Sequence, residues 1–249
     1  MIRDANTTPL TSRKLTASER VLYRILQSYF KRKGYRFTRA ENPEQEMAAC
    51  LYAKKVFDQS GFYESADEPE PPEENGATST YFLAWKNDEL VGTLELVQHP
   101  CELPVEVFFN FDFPNLPRQN VAELTRFAVA PEHRGRNPVV AVGLLSAALR
   151  FSIDQEIRWW IGCTQSFLLQ SFNTLFQDLK TLPEKPPAAK QIRFRKGRDG
   201  FFAPSRALRI FLIDTWSVSF ADAGKKMIMR RLQAKKRRYS KTKPSKTTV

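Results

Sequence analysis

An apolar strand pattern that contains charge constrains this chain more than any other feature. Residues 123–136 read Glu-Leu-Thr-Arg-Phe-Ala-Val-Ala-Pro-Glu-His-Arg-Gly-Arg, strand-forming residues interrupted by a carboxylate and a guanidinium and closed by a basic glycine turn. An unpaired ion in a dry interior costs several kcal/mol or loses its charge. Glu123 and Arg126 must therefore pair, hydrogen-bond or face a ligand cavity. Strand side chains alternate, which predicts Glu123, Thr125 and Phe127 on one face and Leu124, Arg126 and Ala128 on the other. A mutual Glu123–Arg126 pair is then not expected unless a bulge re-aims one of them.

The surrounding pattern is that of an α/β chain. Thr16 and Glu19 make a capping box ahead of Val21, Leu22, Ile25, Leu26, Tyr29 and Phe30 at helical spacing, with Gly34 suited to close the helix. Packing on the core is preferred to membrane contact, because Glu19 and basic residues share the polar face. A strand at 35–40, a helix near 43–59 and strands near 80–86 and 90–98, joined around Asn87-Asp88, follow. After the charged strand come a helix near 139–152, a strand at 159–163, a helix near 165–179 and a Pro-rich connection at 183–187. Strands near 191–196 and 207–214 are expected to pair, with Asp199-Gly200 turning between them.

Formal net charge is +12, but residues 225–249 hold eleven Lys and Arg and no acid, leaving +1 for residues 1–224. The basic character is thus largely a property of the tail. Residues 64–79 carry six carboxylates and three prolines, a composition that disfavours a packed element and predicts a loop. The expected organisation is a helical extension at 1–34, one α/β domain at 35–218 and a basic helix or tail at 219–249.

Three cysteines (Cys50, Cys101, Cys163) lie far apart in apolar neighbourhoods, which suits small buried residues in a reducing compartment better than a disulfide frame. Two histidines, His99 and His133, give too little material for a zinc site or a histidine triad. The longest apolar helix candidate, near 139–151, is too short to span a bilayer, and the N-terminus does not read as a signal peptide. A soluble, cytoplasmic protein without a metal is expected.

Val129-Ala-Pro-Glu-His-Arg-Gly-Arg136 followed by Leu144-Leu145 resembles the central motif of the GNAT acyltransferase fold, in which a strand ends at a glycine-rich loop and a helix N-terminus. Glu123-Leu-Thr-Arg126-Phe127 is similar to the Glu-x-Ser/Thr-Arg-Phe signature of two branches of that fold, the N-acyl amino acid synthases and the acyl-homoserine-lactone synthases. Tyr35-Arg-Phe-Thr-Arg-Ala-Glu and Cys50-Leu-Tyr-Ala-Lys-Lys-Val-Phe57 resemble the first strand and first helix of these branches. The resemblance covers roughly residues 35–180. It implies a mixed central sheet flanked by helices, the GNAT-like acyl-CoA N-acyltransferase fold. This chain departs from the pattern at Asn137-Pro138-Val139-Val140, where the family continues with glycines, and at Ala53, where lactone synthases carry an arginine.

The resemblance also implies a reaction. A long-chain acyl group would move from acyl carrier protein to the amine of an amino acid or related small molecule, with no permanently bound cofactor. The acyl-phosphopantetheine of the carrier, or acyl-CoA, would serve as co-substrate. Glu123 would be the base, Thr125 a support for the acyl carbonyl and Arg126 a clamp on a carboxylate. Phe127, Phe57, Phe108, Phe109 and Phe111 would contact substrate, although the aromatic run Val107–Pro114 reads equally as core filling. Val129, Arg134, Gly135, Arg136 and Asn137 would hold the donor's phosphopantetheine, with a weakened amide cradle where Pro138 and Val139 replace glycine.

Phe172 and Phe176 stand where GNAT enzymes often carry a tyrosine acid, so Ser166, Ser171 or water would replace it. Arg193, Arg195, Lys196 and Arg198 form the densest basic cluster of the body, either a dock for an acidic carrier or solvated strand charge. Cys163 reads as a structural thiol in preference to an acyl-accepting nucleophile. Two other functions stay open: a GNAT acetyltransferase that uses coenzyme A, and a non-catalytic module whose basic tail binds RNA or anionic lipid.

Overall fold

The computed structural model describes residues 13–60, 78–98, 102–134, 138–176, 179–189 and 208–217. Helix α1 (Ala17–Arg32) starts at the expected capping box: Thr16 Oγ1 accepts from Glu19 N, and Glu19 Oε2 accepts from Thr16 N at 2.9 Å. Gly34, at φ +74°, ends it in a conformation that only glycine adopts without cost. Arg13 joins this start to the far end of the fold, donating to Glu19 Oε1 at 2.6 Å and to the Thr215 carbonyl at 2.7 Å.

Strand β1 (Tyr35–Arg39) and helix α2 (Pro43–Gln59), which begins with Asn42 as N-cap and Pro43 in the first turn, follow. Strands β2 (Thr78–Lys86) and β3 (Glu89–Gln98) form a hairpin. Asn87 and Asp88 turn it with φ of 49° and 66°, the pair of left-handed residues that a two-residue hairpin turn requires. Thr78 and Ser79, expected in the acidic loop, instead pair with Gln98 and Val97. The rest of that stretch, residues 64–77, lies outside the described residues.

Helix α3 (Pro104–Phe108) and strand β4 (Phe109–Phe111) precede strand β5 (Val121–Val129). Helix α4 (Val139–Asp154), strand β6 (Trp159–Gln165) and helix α5 (Ser166–Leu175) follow. Strands β7 (Lys180–Leu182), β8 (Glu184–Ala189) and β9 (Leu208–Asp214) complete the order. Among the described residues, seven strands make one mixed sheet in the order β1-β2-β3-β5-β6-β9-β7, and β4 pairs with β8 in a second. Of the described pairs in the large sheet, β5–β6 is the parallel one, bridged by α4.

One expectation is corrected here. The Pro-rich stretch at 183–187 is not a bare connection, because β8 runs through it against β4. The described neighbours of β9 are β6 and β7; residues 190–207, with the strand expected at 191–196 and the Asp199-Gly200 turn, lie outside the described residues.

The main core lies on one face of the sheet, where Phe82, Leu94, Leu124, Trp160 and Phe211 meet α4 and α5. Helix α1 adds Leu26 and Phe30 against Val139 and Val142 of α4. Gly143 allows this packing, since a Cβ there would run into the Phe37 ring. The opposite face is shared. Helix α2 covers Tyr81, Leu83 and Ala128 through Ala49, Cys50, Ala53 and Val56, while α3 and β4 cover Val121, Ile161, Ile210 and Leu212. Among the described residues no helix is long and apolar enough to cross a membrane.

Candidate active site

Strand β5 brings the charged residues to the seam between these two covers. Glu123 is 1% exposed and accepts a 2.8 Å hydrogen bond from the Val105 amide of α3. Proline at position 104 starts that short helix and so aims the Val105 N–H at the sheet. The bond satisfies a polar acceptor on the face of β5 that also carries Val121 of the cluster under α3 and β4.

Strict alternation fails two residues later. Between the pairs Thr93↔Ala128 and Glu95↔Thr125, β3 contributes Leu94 and β5 contributes both Arg126 and Phe127. This is a β-bulge, and Arg126 sits in it at φ +44°. The extra residue resets the parity of the strand. Arg126 joins the face of Glu123 and Thr125, Ala128 joins it under α2, and Phe127 turns to the other face against Phe172 at 5.9 Å between ring centroids. The expected division of these residues between faces is corrected accordingly.

Arg126 takes Glu95 of β3 as its ion partner. Its Nη1 donates to Glu95 Oε2 at 2.8 Å and to the Tyr81 hydroxyl at 3.1 Å. Glu95, Tyr81 and Arg126 have one cause of proximity, the register that sets Tyr81 opposite Glu95 and Glu95 opposite Thr125. Burial pushes the Tyr81 phenol far up, the Glu95 carboxylate adds to this and Arg126 partly opposes it. Tyr81 is therefore a neutral hydroxyl that both accepts from the guanidinium and keeps its own proton.

Cys163 of β6 faces the same seam. It is half-buried, and burial raises its thiol well above the ordinary 9.0, with the Glu123 and Glu184 carboxylates adding to the rise. Such a thiol carries little thiolate at neutral pH.

A second property of the seam comes from the strands themselves. The parallel ladder between β5 and β6 runs from Val121↔Trp159 to Glu123↔Ile161 and stops. Beyond it β5 continues against β3 to Val129, and β6 continues against β9 to Gln165. At Gly162, one residue past the last pair, the strands still approach closely, since a Cβ there would lie 2.7 Å from the Leu124 carbonyl oxygen, and they pair no further beyond it among the described residues. The carboxyl ends of parallel strands at such an opening are where α/β sheets receive ligands.

The remaining candidates are dispersed. Phe108 and Phe109 are buried, and half-buried Phe111 packs with them in the cluster beneath β5, β6 and β9. Phe57 packs with the neighbouring cluster of α2 and Ala128. Val129 offers its carbonyl to Arg134 Nε at 2.7 Å, and Arg134 reaches Ser60 Oγ at 3.5 Å. Helix α4 opens at Pro138 without a side-chain cap. Phe172 and Phe176 are buried in the main core, and Ser166 is exposed. Gly135, Arg136, Asn137, Arg193, Arg195, Lys196 and Arg198 lie outside the described residues. Among the described residues no group of three or more His, Cys, Asp or Glu could hold a metal ion.

Glu95 and Tyr81 were not singled out in the sequence. The signal for Glu95 is nonetheless of the same kind as that for Glu123: a carboxylate inside Leu-Val-Gly-Thr-Leu-Glu-Leu-Val, an apolar strand run.

The model of the family described as N-acyl amino acid synthase FeeM matches residues 49–168, from within α2 to the start of α5. The solved structure of FeeM, an N-acyl amino acid synthase from uncultured soil microbes, is similar at 12% identity and TM-score 0.50, covering 76% of this chain and 96% of that one. The acyl-homoserine-lactone synthase LasI is 12% identical with a TM-score of 0.47, covering 73% and 89%. An acetyltransferase from Streptococcus agalactiae is 15% identical with a TM-score of 0.42, covering 73% and 99%. No curated protein matches the chain. The FeeM structure establishes the shared GNAT-like fold, and the family match on that fold indicates an acyltransferase.

Proposed function

We propose, from the premise that this chain is a GNAT-fold acyltransferase similar to the N-acyl amino acid synthases, that it transfers an acyl group from acyl carrier protein to the amine of an amino acid or related small molecule. The observation that carries the reading is the buried Glu123 carboxylate on the strand where β5 and β6 part, with the bulge turning Arg126 onto the same face. Glu123 stands at the last pair of the β5–β6 ladder, and Arg126 lies three residues further along β5 on the same face.

In this reading the acceptor amine attacks the thioester carbon. A C–N bond forms, the amine proton passes to Glu123 directly or through water, and the C–S bond breaks to release the carrier's thiolate. Collapse of the intermediate returns a proton to sulfur, from the Glu123 carboxyl or from water. Backbone amides of β5 near the opening stabilise the oxyanion, and Thr125 supports the acyl carbonyl. Arg126 binds the acceptor's carboxylate. A guanidinium has five N–H donors, and its Nη1 makes the bonds to Glu95 and Tyr81 that fix its plane.

Acyl-CoA as the donor is the second reading, favoured by Arg134 at the end of β5 and by the uncapped start of α4. One experiment separates the two. The protein is incubated with long-chain acyl carrier protein or acyl-CoA and a pooled amino acid mixture, and new amide masses are sought. Glu123→Gln keeps an acceptor for the Val105 amide and removes the base, so turnover is expected to fall about 10²–10⁴-fold. Undiminished turnover removes the assignment.

A further inference from the structure

Helix α1 buries one apolar face and exposes a second. Val21 and Ile25, four residues apart, are 56% and 48% exposed. They line a shallow groove with Arg24, Ser28, Tyr29 and Arg32. At roughly 100° per residue these six positions fall within one arc of roughly 140°, away from Leu26 and Phe30, which face the core. The two faces of one helix thus do different work.

The surroundings of the groove are basic. Arg20, Arg24, Lys31, Arg32 and Lys33 are all exposed. The carboxylate within the helix, Glu19, is buried and bound to Arg13, so it does not offset them. An apolar stripe bordered by cations fits an acidic amphipathic helix, whose apolar residues would cover Val21 and Ile25 while its carboxylates meet the arginines. A second copy of this chain fits poorly, because a twofold contact would set these arginines against one another. A membrane surface fits less well than a protein. Interfacial helices commit their principal apolar face to lipid, whereas that of α1 is committed to α4.

Position supplies the second observation. Phe30 packs on Val139 and Val142 in the first turns of α4, so the groove end at Tyr29 and Arg32 lies beside the helix that follows β5. That helix is the next α-helix after the strand that carries Glu123 and Arg126.

We infer that the outward face of α1 docks the acidic acyl carrier protein, an assignment that rests on the carrier-dependent transfer proposed above. The test uses the full chain carrying Arg24→Glu with Arg32→Glu and, separately, Ile25→Asp. All three side chains are exposed, and an unchanged unfolding midpoint verifies the fold. Binding of acyl carrier protein is measured by titration, and transfer is measured with acyl carrier protein and with the corresponding acyl-pantetheine, which lacks the protein.

Both variants should weaken carrier binding at least tenfold and raise KM for the carrier, leaving turnover of acyl-pantetheine unchanged. Wild-type affinity should decline with added salt. If the wild type transfers acyl groups from the carrier and the variants match it, the docking assignment is overturned and the transfer reading stands. If the wild type neither binds the carrier nor transfers from it, both fall. Variants that lose binding to vesicles of anionic lipid yet bind the carrier normally also overturn the assignment.

Discussion

Replacing Glu95 with alanine strands a guanidinium inside the sheet. Glu95 is 1% exposed and the Arg126 side chain 14% exposed, so water reaches the pair from one side at most. Breaking a buried ion pair by removing one partner costs about 3–5 kcal/mol, because the other charge is left behind. The Tyr81 hydroxyl still accepts from Nη1, and the partial exposure of Arg126 screens what is left. The expected loss is therefore near the lower bound, about 3 kcal/mol, or a fall in Tm of roughly 6–12 °C for a chain of this size. Urea unfolding with an unchanged m-value is the assay. Arg126→Ala in the same background removes the stranded charge, so the double variant should lose clearly less than the two single losses added, with a coupling of about 2 kcal/mol. A Glu95→Ala protein within about 0.5 kcal/mol of wild type, or a cycle that adds up, would refute the claim that the pair holds the bulge side chain in place.

Three further outcomes follow from the same geometry. Gly162→Ala puts a methyl 2.7 Å from the Leu124 carbonyl oxygen, an atom of backbone that cannot rotate away, so the unfolding midpoint should drop by the equivalent of about 1–3 kcal/mol; an unmoved midpoint would mean the strands are further apart there. Thr16→Ala removes the acceptor for Glu19 N and should cost about 1 kcal/mol in urea unfolding, with no loss counting against the cap. Burial holds Tyr52 up to about 12 against an ordinary 10.0, and Tyr81 is displaced in the same direction. The folded state thus keeps protons that the unfolded chain releases, and the stability present below pH 10 should decline as pH rises toward 12. Tyr52→Phe should flatten that decline, and an equal slope in the variant would contradict the assignment.

What could be read from the sequence was local. The Thr16–Glu19 cap, the Gly34 stop and the Asn87-Asp88 turn are each specified within a few residues, and each stands as expected. The opening of β5 was legible too, since an apolar run with Glu123 and Arg126 in it demands partners. The identity of those partners was not. Glu95 reaches Arg126 from 31 residues away, and the bulge that turns Arg126 toward it depends on where β3 supplies one residue against two. Alternation alone assigned Phe127 and Ala128 to the wrong faces for that reason. Strand β8 was missed because prolines disfavour a strand locally, while pairing with β4 stabilises it. The aromatic run was legible as apolar but not as the cover over Glu123, which depends on the Val105 amide.

Arg13 clasps the carbonyl of Thr215 and the carboxylate of Glu19 at once, so the opening of the first helix and the residue just after the last described strand share one knot. Unfastening either side exposes the other. In amide hydrogen exchange, α1 and β9 should consequently open together as one cooperative unit despite lying at opposite ends of the described chain, and loss of the Arg13 guanidinium should be felt in β9 as soon as in the helix it precedes.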